Sequence, residues 1–235
     1  MKKPLLCLLS CWISLLVLYP PAFCQEKAVL LNIHDFPPLC GYSEKGLPEG
    51  IGVQVVKCVF EKMKQPYKIE LRSLAKAALN VRTGNADGFF VASRNKDRDE
   101  FAVWSEYIAE QNWNWYLLKD NPFDPNDPSF KKQAKIASLL GTNSLKWAKE
   151  NGYQVTGAPP TPDLLIRMLK AKRMDAIFLS DLLMQATMKQ MDLTDEFRVV
   201  AGTHKKVGVY FSKKFLENHP GFLERFNGFV PGCRK

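Results

Sequence analysis

Apolar residues recur along the chain in two rhythms, and the rhythms alternate. Residues 28–33 (AVLLNI) form a short apolar run between polar neighbours, the pattern of a buried strand. Val53, Val56, Phe60 and Met63 then fall at helical spacing, which predicts an amphipathic helix over 52–64. Residues 67–71 (YKIEL) alternate as a strand, 73–84 (SLAKAALNVRTG) read as a helix stopped by Gly84, and 86–93 (ADGFFVAS) as a third strand. Strand, helix, strand, helix, strand predicts a mostly parallel sheet covered by helices.

The alternation resumes after a polar stretch broken by prolines, residues 119–130 (KDNPFDPNDPSF). Strands are predicted at 135–140, 153–157, 174–180 and 197–201, with helices at 142–150, 163–172 and 181–191 between them. Thr161-Pro162-Asp163 supplies a cap and a proline for the second of these helices. Residues 206–212 (KVGVYFS) read as a return strand and 213–229 as closing helices. The fold class is therefore α/β, in two units joined near 112–120 with a ligand-sized cleft between them. No internal repeat is visible.

The N-terminus adds a compartment. Lys2-Lys3, an apolar run from Pro4 to Leu18 and the sequence up to Cys24-Gln25 read as a secretory signal over residues 1–24. The run is too short for a comfortable membrane span. Acylation of Cys24 is the weaker alternative, since bulky Phe23 precedes it. Removing Lys2 and Lys3 lowers the formal charge from +9 to +7, with the basic residues scattered rather than bunched. That favours anionic partners in general and does not demonstrate nucleic acid binding. Cys40, Cys58 and Cys233 remain, which permits one disulfide and one thiol. The pairing weighed is Cys40–Cys58, closing a short loop worth about 3 kcal/mol, against three buried thiols.

Ligands of open α/β sheets bind beyond the carboxyl ends of the strands, and three stretches lie there. In residues 35–42, Phe36 and Tyr42 are able to wall a planar or apolar group. In residues 93–98, Ser93 precedes Arg98, whose planar fork of donors suits a carboxylate. In Gly141-Thr142-Asn143-Ser144, hydroxyls and free backbone N–H groups open a helix, which makes either an anion site or a plain N-cap. Trp113 and Trp115 share a face of a crossover strand and fit either the cleft or the core. The chain carries no G-x-S-x-G, P-loop or G-x-G-x-x-G motif. His34, His204 and His219 share no metal-ligand spacing and read as surface or loop residues. Neither an enzyme, a metal nor a cofactor is expected.

Residues 35–52 (DFPPLCGYSEKGLPEGIG), the helix after them, 82–108 (RTGNADGFFVASRNKDRDEFAVWSEYI), 139–144 (LLGTNS) and 170–181 (KAKRMDAIFLSD) together resemble the family 3 solute-binding proteins. These type II periplasmic binding proteins feed amino-acid ABC importers. The resemblance spans nearly the whole chain after the signal. It implies two Rossmann-like lobes, residues 25–116 with 208–235 and residues 117–207, joined by two crossover strands. It also implies that Arg98, six residues before Trp104-Ser105, grips an α-carboxylate, with Ser93, Thr142 and Phe36 at ligand-facing positions. A monomer serving importer membrane subunits is expected. Family members place an aspartate where this chain has Ser180, with the acid one step on at Asp181; Leu74 stands where many have an aromatic, and Gln54 replaces a frequent acid. The ligand expected is an amino acid or a related small carboxylate, its ammonium meeting Ser180 or Asp181. The alternatives are a stand-alone sensor presenting its ligand to a receptor and, less favoured, a periplasmic dehydratase. For the dehydratase, Asp35, Glu49 and Asp181 are candidate acids by loop position alone.

Overall fold

The computed structural model describes residues 27–193 and 195–234, so the expected signal segment and Cys24 lie outside it. The chain begins with β1 (Val29–Ile33), β2 (Gly41–Tyr42), β3 (Pro48–Glu49), α1 (Ile51–Met63), β4 (Tyr67–Leu71), α2 (Leu74–Arg82) and β5 (Gly88–Ser93). Then come α3 (Lys96–Asp99), β6 (Ala102–Trp104), β7 (Ala109–Leu118), α4 (Phe130–Gln133), β8 (Lys135–Ala137), α5 (Asn143–Glu150) and β9 (Gln154–Gly157). Last are α6 (Pro162–Lys170), β10 (Ala176–Ser180), α7 (Asp181–Gln190), β11 (Phe197–Ser212), α8 (Lys213–Asn218) and α9 (Phe222–Phe229). The predicted alternation is present, and the helix starts follow local chemistry. Ser73 Oγ accepts from Lys76 N, and Gly84, at φ 76°, ends α2 in the left-handed region glycine tolerates. At α6 the Thr161 side chain makes no backbone cap bond, and Pro162 opens the helix instead.

Nine strands form one sheet in the order β4-β1-β5-β11-β7-β10-β8-β9, with β6 also on β11. β4, β1 and β5 run parallel at one end, and β10, β8 and β9 at the other. The antiparallel pair β7 and β11 joins the two ends, so the chain crosses between them twice. Where two strands had been expected, at 197–201 and 206–212, a single 16-residue strand runs through. Its register against β7 shifts between Val200 and Thr203, which places Ala201 and Gly202 in a bulge at the crossing.

α9 lies against α1, where Phe60 meets Phe226 edge-on at 5.8 Å and Phe211 meets Phe226 at 5.0 Å. Burying such side chains contributes about 1.5–3 kcal/mol each. That packing returns the tail to α1 and closes a disulfide between Cys58 and Cys233, not between Cys40 and Cys58. A sequence separation of 175 residues makes this link worth about 5 kcal/mol in the chain-entropy model, more than the short loop would give. Cys40 is a buried thiol donating to the His34 carbonyl at 3.0 Å, and burial pushes it up to about 12. No helix among the described residues is long and apolar enough to cross a membrane.

Candidate functional site

A cavity of about 410 Å³ opens between the two ends of the sheet, beyond the carboxyl ends of β1, β5 and β10. His34, Asp35 and Phe36 line it after β1, Val91 to Ser93 at the end of β5, and Arg98 in α3. Gln111 and Trp113 of β7 form part of its wall, as do Leu139, Leu140, Thr142 to Ser144 and Leu179-Ser180. Alternation along β7 explains the pair, since residues two apart point the same way. Val91 is the extra residue of a bulge: Gly208 pairs with Ala92 and Val209 with Phe90, leaving Val91 unopposed at φ 59°. A β-branched side chain in that region is strained, and the bulge re-aims the strand end that leads to Ser93.

Arg98 is the chemical centre of the cavity. It is 8% exposed, donates from Nη1 to the Ser93 carbonyl at 2.9 Å, and lies 5.6 Å from the centre of the Phe89 ring. Its backbone N–H donates to Asn95 Oδ1, which caps α3 and fixes where the side chain starts. The acids on either side are engaged elsewhere: Asp97 with Lys146, and Asp99 with Arg94 at 3.1 Å and the Tyr210 hydroxyl at 2.9 Å. Burial pulls the guanidinium below its ordinary value, Tyr210 and Asp97 oppose that, and an arginine stays charged through shifts of this kind. A buried cation thus faces the cavity with no carboxylate in contact among the described residues. Arg72, also lining the cavity, is paired with Glu70 at 2.6 Å.

Opposite stands the start of α5. Thr142 Oγ1 accepts from Leu145 N at 3.3 Å, donates to the Leu139 carbonyl at 2.7 Å and lies 2.9 Å from Ser144 Oγ, so it is the helix cap as well as cavity wall. Asn143 reaches across the cleft: its Nδ2 donates to Ser93 Oγ at 2.6 Å and Ser93 O at 3.0 Å, and its Oδ1 accepts from Asn95 Nδ2 at 2.7 Å. Three buried side-chain atoms of lining residues have no partner: His34 Nδ1, Gln111 Oε1 and Ser180 Oγ. Those residues are 8%, 6% and 2% exposed. His34 is the loop histidine expected but not a surface one; burial, reinforced by the Arg98 charge, holds its imidazole at about 4 and keeps it neutral.

Six of the eight anticipated residues line the cavity: Arg98, Ser93, Thr142, Phe36, Asn143 and Ser180. Tyr42 does not; its hydroxyl donates to the Ile69 carbonyl at 2.9 Å, tying β2 to β4. Asp181 does not either. Its Oδ1 accepts from Asn112 N at 3.0 Å and Leu182 N at 2.8 Å, and its Oδ2 from Asn112 Nδ2 at 2.9 Å. It secures α7 to the crossover strand, as a one-residue step in facing implies. Of the proposed acids only Asp35 lines the cavity, and among the described residues no group of three His, Cys, Asp or Glu could hold a metal ion. Sequence reasoning missed Gln111 and His34. Gln111 was legible two residues before Trp113, whereas nothing local marks His34 as buried.

No family model matches the chain, and no curated protein matches it in sequence. Solved structures do. A histidine kinase sensor domain with similarity to periplasmic binding proteins matches with TM-score 0.76 at 17% identity, over 89% of this chain and 91% of that one. The GluR0 ligand-binding core in complex with L-glutamate gives 0.73 at 16%, over 88% and 92%. An ABC uptake transporter substrate-binding protein from Streptococcus pneumoniae with bound histidine gives 0.72 at 12%, over 88% and 87%. The chain has the two-lobed fold of periplasmic binding proteins. Identities this low speak to the fold alone.

Proposed function

We propose that the protein is an exported, monomeric member of the family 3 solute-binding proteins that captures an amino acid or related small carboxylate by lobe closure and delivers it to an inner-membrane ABC importer. The lobes are residues 25–116 with 208–235 and residues 117–207. One observation carries the reading: the buried Arg98 faces a cavity shared by both lobes with no carboxylate of its own. A bound carboxylate would supply the missing counter-ion through charge-assisted bonds, roughly twice as strong as neutral ones. Thr142 and the first turn of α5 would meet the same anion from the other lobe, which couples binding to closure.

A second reading has its own support. The sensor domain of a histidine kinase shares this fold at TM-score 0.76, and a captured ligand shown to a receptor fits the same architecture. Both readings need a bound solute, and neither needs turnover. The test is thermal unfolding of protein stripped of co-purified ligand, against amino acids and small carboxylates. At a thousand times its dissociation constant a ligand stabilises by about 4 kcal/mol, and 2–4 °C per kcal/mol gives a rise near 10 °C. Such a rise with a carboxylate supports capture. A flat response across carboxylates, or turnover of prephenate or arogenate, rejects it. Uptake of the identified solute in cells lacking the protein then separates delivery from sensing.

A further inference from the structure

We infer that the solute is a carboxylate carrying no ammonium group, such as a hydroxy acid or deamino acid, and not an α-amino acid. This rests on the carboxylate reading of Arg98 and narrows it. In an α-amino acid the ammonium lies two bonds from the carboxylate carbon, so it would sit in the same part of the cavity as the guanidinium. A buried cation there requires an anionic partner, because neutral acceptors leave its charge uncompensated. Among the described residues the only carboxylate lining the cavity is Asp35. Asp181, the acid at the end of β10, has both oxygens taken by Asn112 and its own helix. Asp35 is exposed, and one of its carboxylate oxygens stands 3.0 Å from where a Cβ on Gly41 would lie, on the loop side.

What the wall does provide is neutral. Gln111 Oε1, Ser180 Oγ and His34 Nδ1 are buried and without partners, and all three belong to lining residues. The imidazole is held neutral beside Arg98. A carbonyl oxygen and a hydroxyl suit a ligand hydroxyl or amide donor, whereas an ammonium would leave its charge uncompensated beside a second cation. Phe36, Leu74, Trp113 and Leu179 supply apolar walls for the body of the molecule.

The experiment is calorimetric titration of the stripped protein with matched triplets sharing one skeleton. The triplets are phenylalanine, 3-phenyllactate and 3-phenylpropionate; leucine, 2-hydroxy-4-methylpentanoate and 4-methylpentanoate; and asparagine, its 2-hydroxy analogue and succinamate. In every triplet that binds, the hydroxy or deamino acid is expected to bind at least tenfold tighter than the amino acid. Ser180→Asp should move that ratio towards the amino acid by at least tenfold. An amino acid that binds as tightly as its analogues, or tighter, overturns the inference while leaving the carboxylate reading intact. A ratio left unmoved by Ser180→Asp likewise overturns it. Silence of all nine compounds with both proteins overturns the carboxylate reading itself, and the inference with it.

Discussion

Arg98 is buried with one hydrogen bond and no carboxylate in contact, a placement that costs free energy in the protein alone. Replacing a buried charge by an apolar side chain of similar length often stabilises. Arg98→Met is therefore expected to stabilise the stripped protein by about 1 kcal/mol or more, read as a higher urea midpoint, while removing carboxylate binding. A variant that is less stable, or that still binds carboxylate, would show that the guanidinium serves the fold. The imidazole of His34 gives the pH dependence. Folding lowers it from 6.5 to about 4, so the unfolded chain takes up its proton first as the pH falls. Stability is full above about pH 6.5 and is lost towards pH 4, by about 3 kcal/mol at about 1.36 kcal/mol per pH unit. His34→Gln should flatten that part of the stability profile, measured by urea unfolding at pH 4 to 7. An unchanged profile would assign the slope to other groups.

At the level of elements, hydrophobic periodicity located nearly every long helix and strand because each buries a continuous face, as α1 does through Val53, Val56, Phe60 and Met63. It missed the unity of β11. Residues 199–206 have no regular apolar pattern, since this part of the strand crosses open space between the lobes and is held by hydrogen bonds to β7. It also missed the disulfide partner, because Cys233 meets Cys58 only through the packing of α9 on α1. Arg98, Ser93 and Thr142 were legible as strand-end and helix-start residues, whereas nothing in the sequence around His34 marks it as buried. The bulge in β11 was not legible either, yet it sets a sharp constraint. A Cβ on Gly202 would run into the Trp113 carbonyl oxygen and lie 3.0 Å from the Phe178 ring. Gly202→Ala is expected to cost about 1–3 kcal/mol, the range for overpacking, although alanine normally stabilises an exposed glycine site. Equal chemical-denaturation midpoints for the two proteins would mean that the bulge gives way freely.

In the whole molecule, two kinds of contact hold the lobes together across the cleft, and they differ in strength. Lys146 and Asp97 form an ion pair, but both side chains are solvent-exposed, and such pairs contribute little and weaken with salt. Asn143 makes three hydrogen bonds, to Ser93 O, Ser93 Oγ and Asn95 Nδ2, in a half-buried setting. At about 0.5–1.5 kcal/mol each, these outweigh the ion pair. Asn143 is thus the principal clasp, and its neighbour Thr142 keeps the α5 cap if Asn143 is changed. Asn143→Ala should shift stripped protein towards a more open arrangement, read as a larger radius of gyration in small-angle scattering. Lys146→Met should change it little. Because a ligand that needs both lobes must then also drive closure, carboxylate affinity should fall by about tenfold in Asn143→Ala, mainly through faster dissociation. Loss of affinity with an unchanged radius would mean instead that Asn143 acts by touching the ligand. An expanded radius in Lys146→Met alone would transfer the clasp to the ion pair.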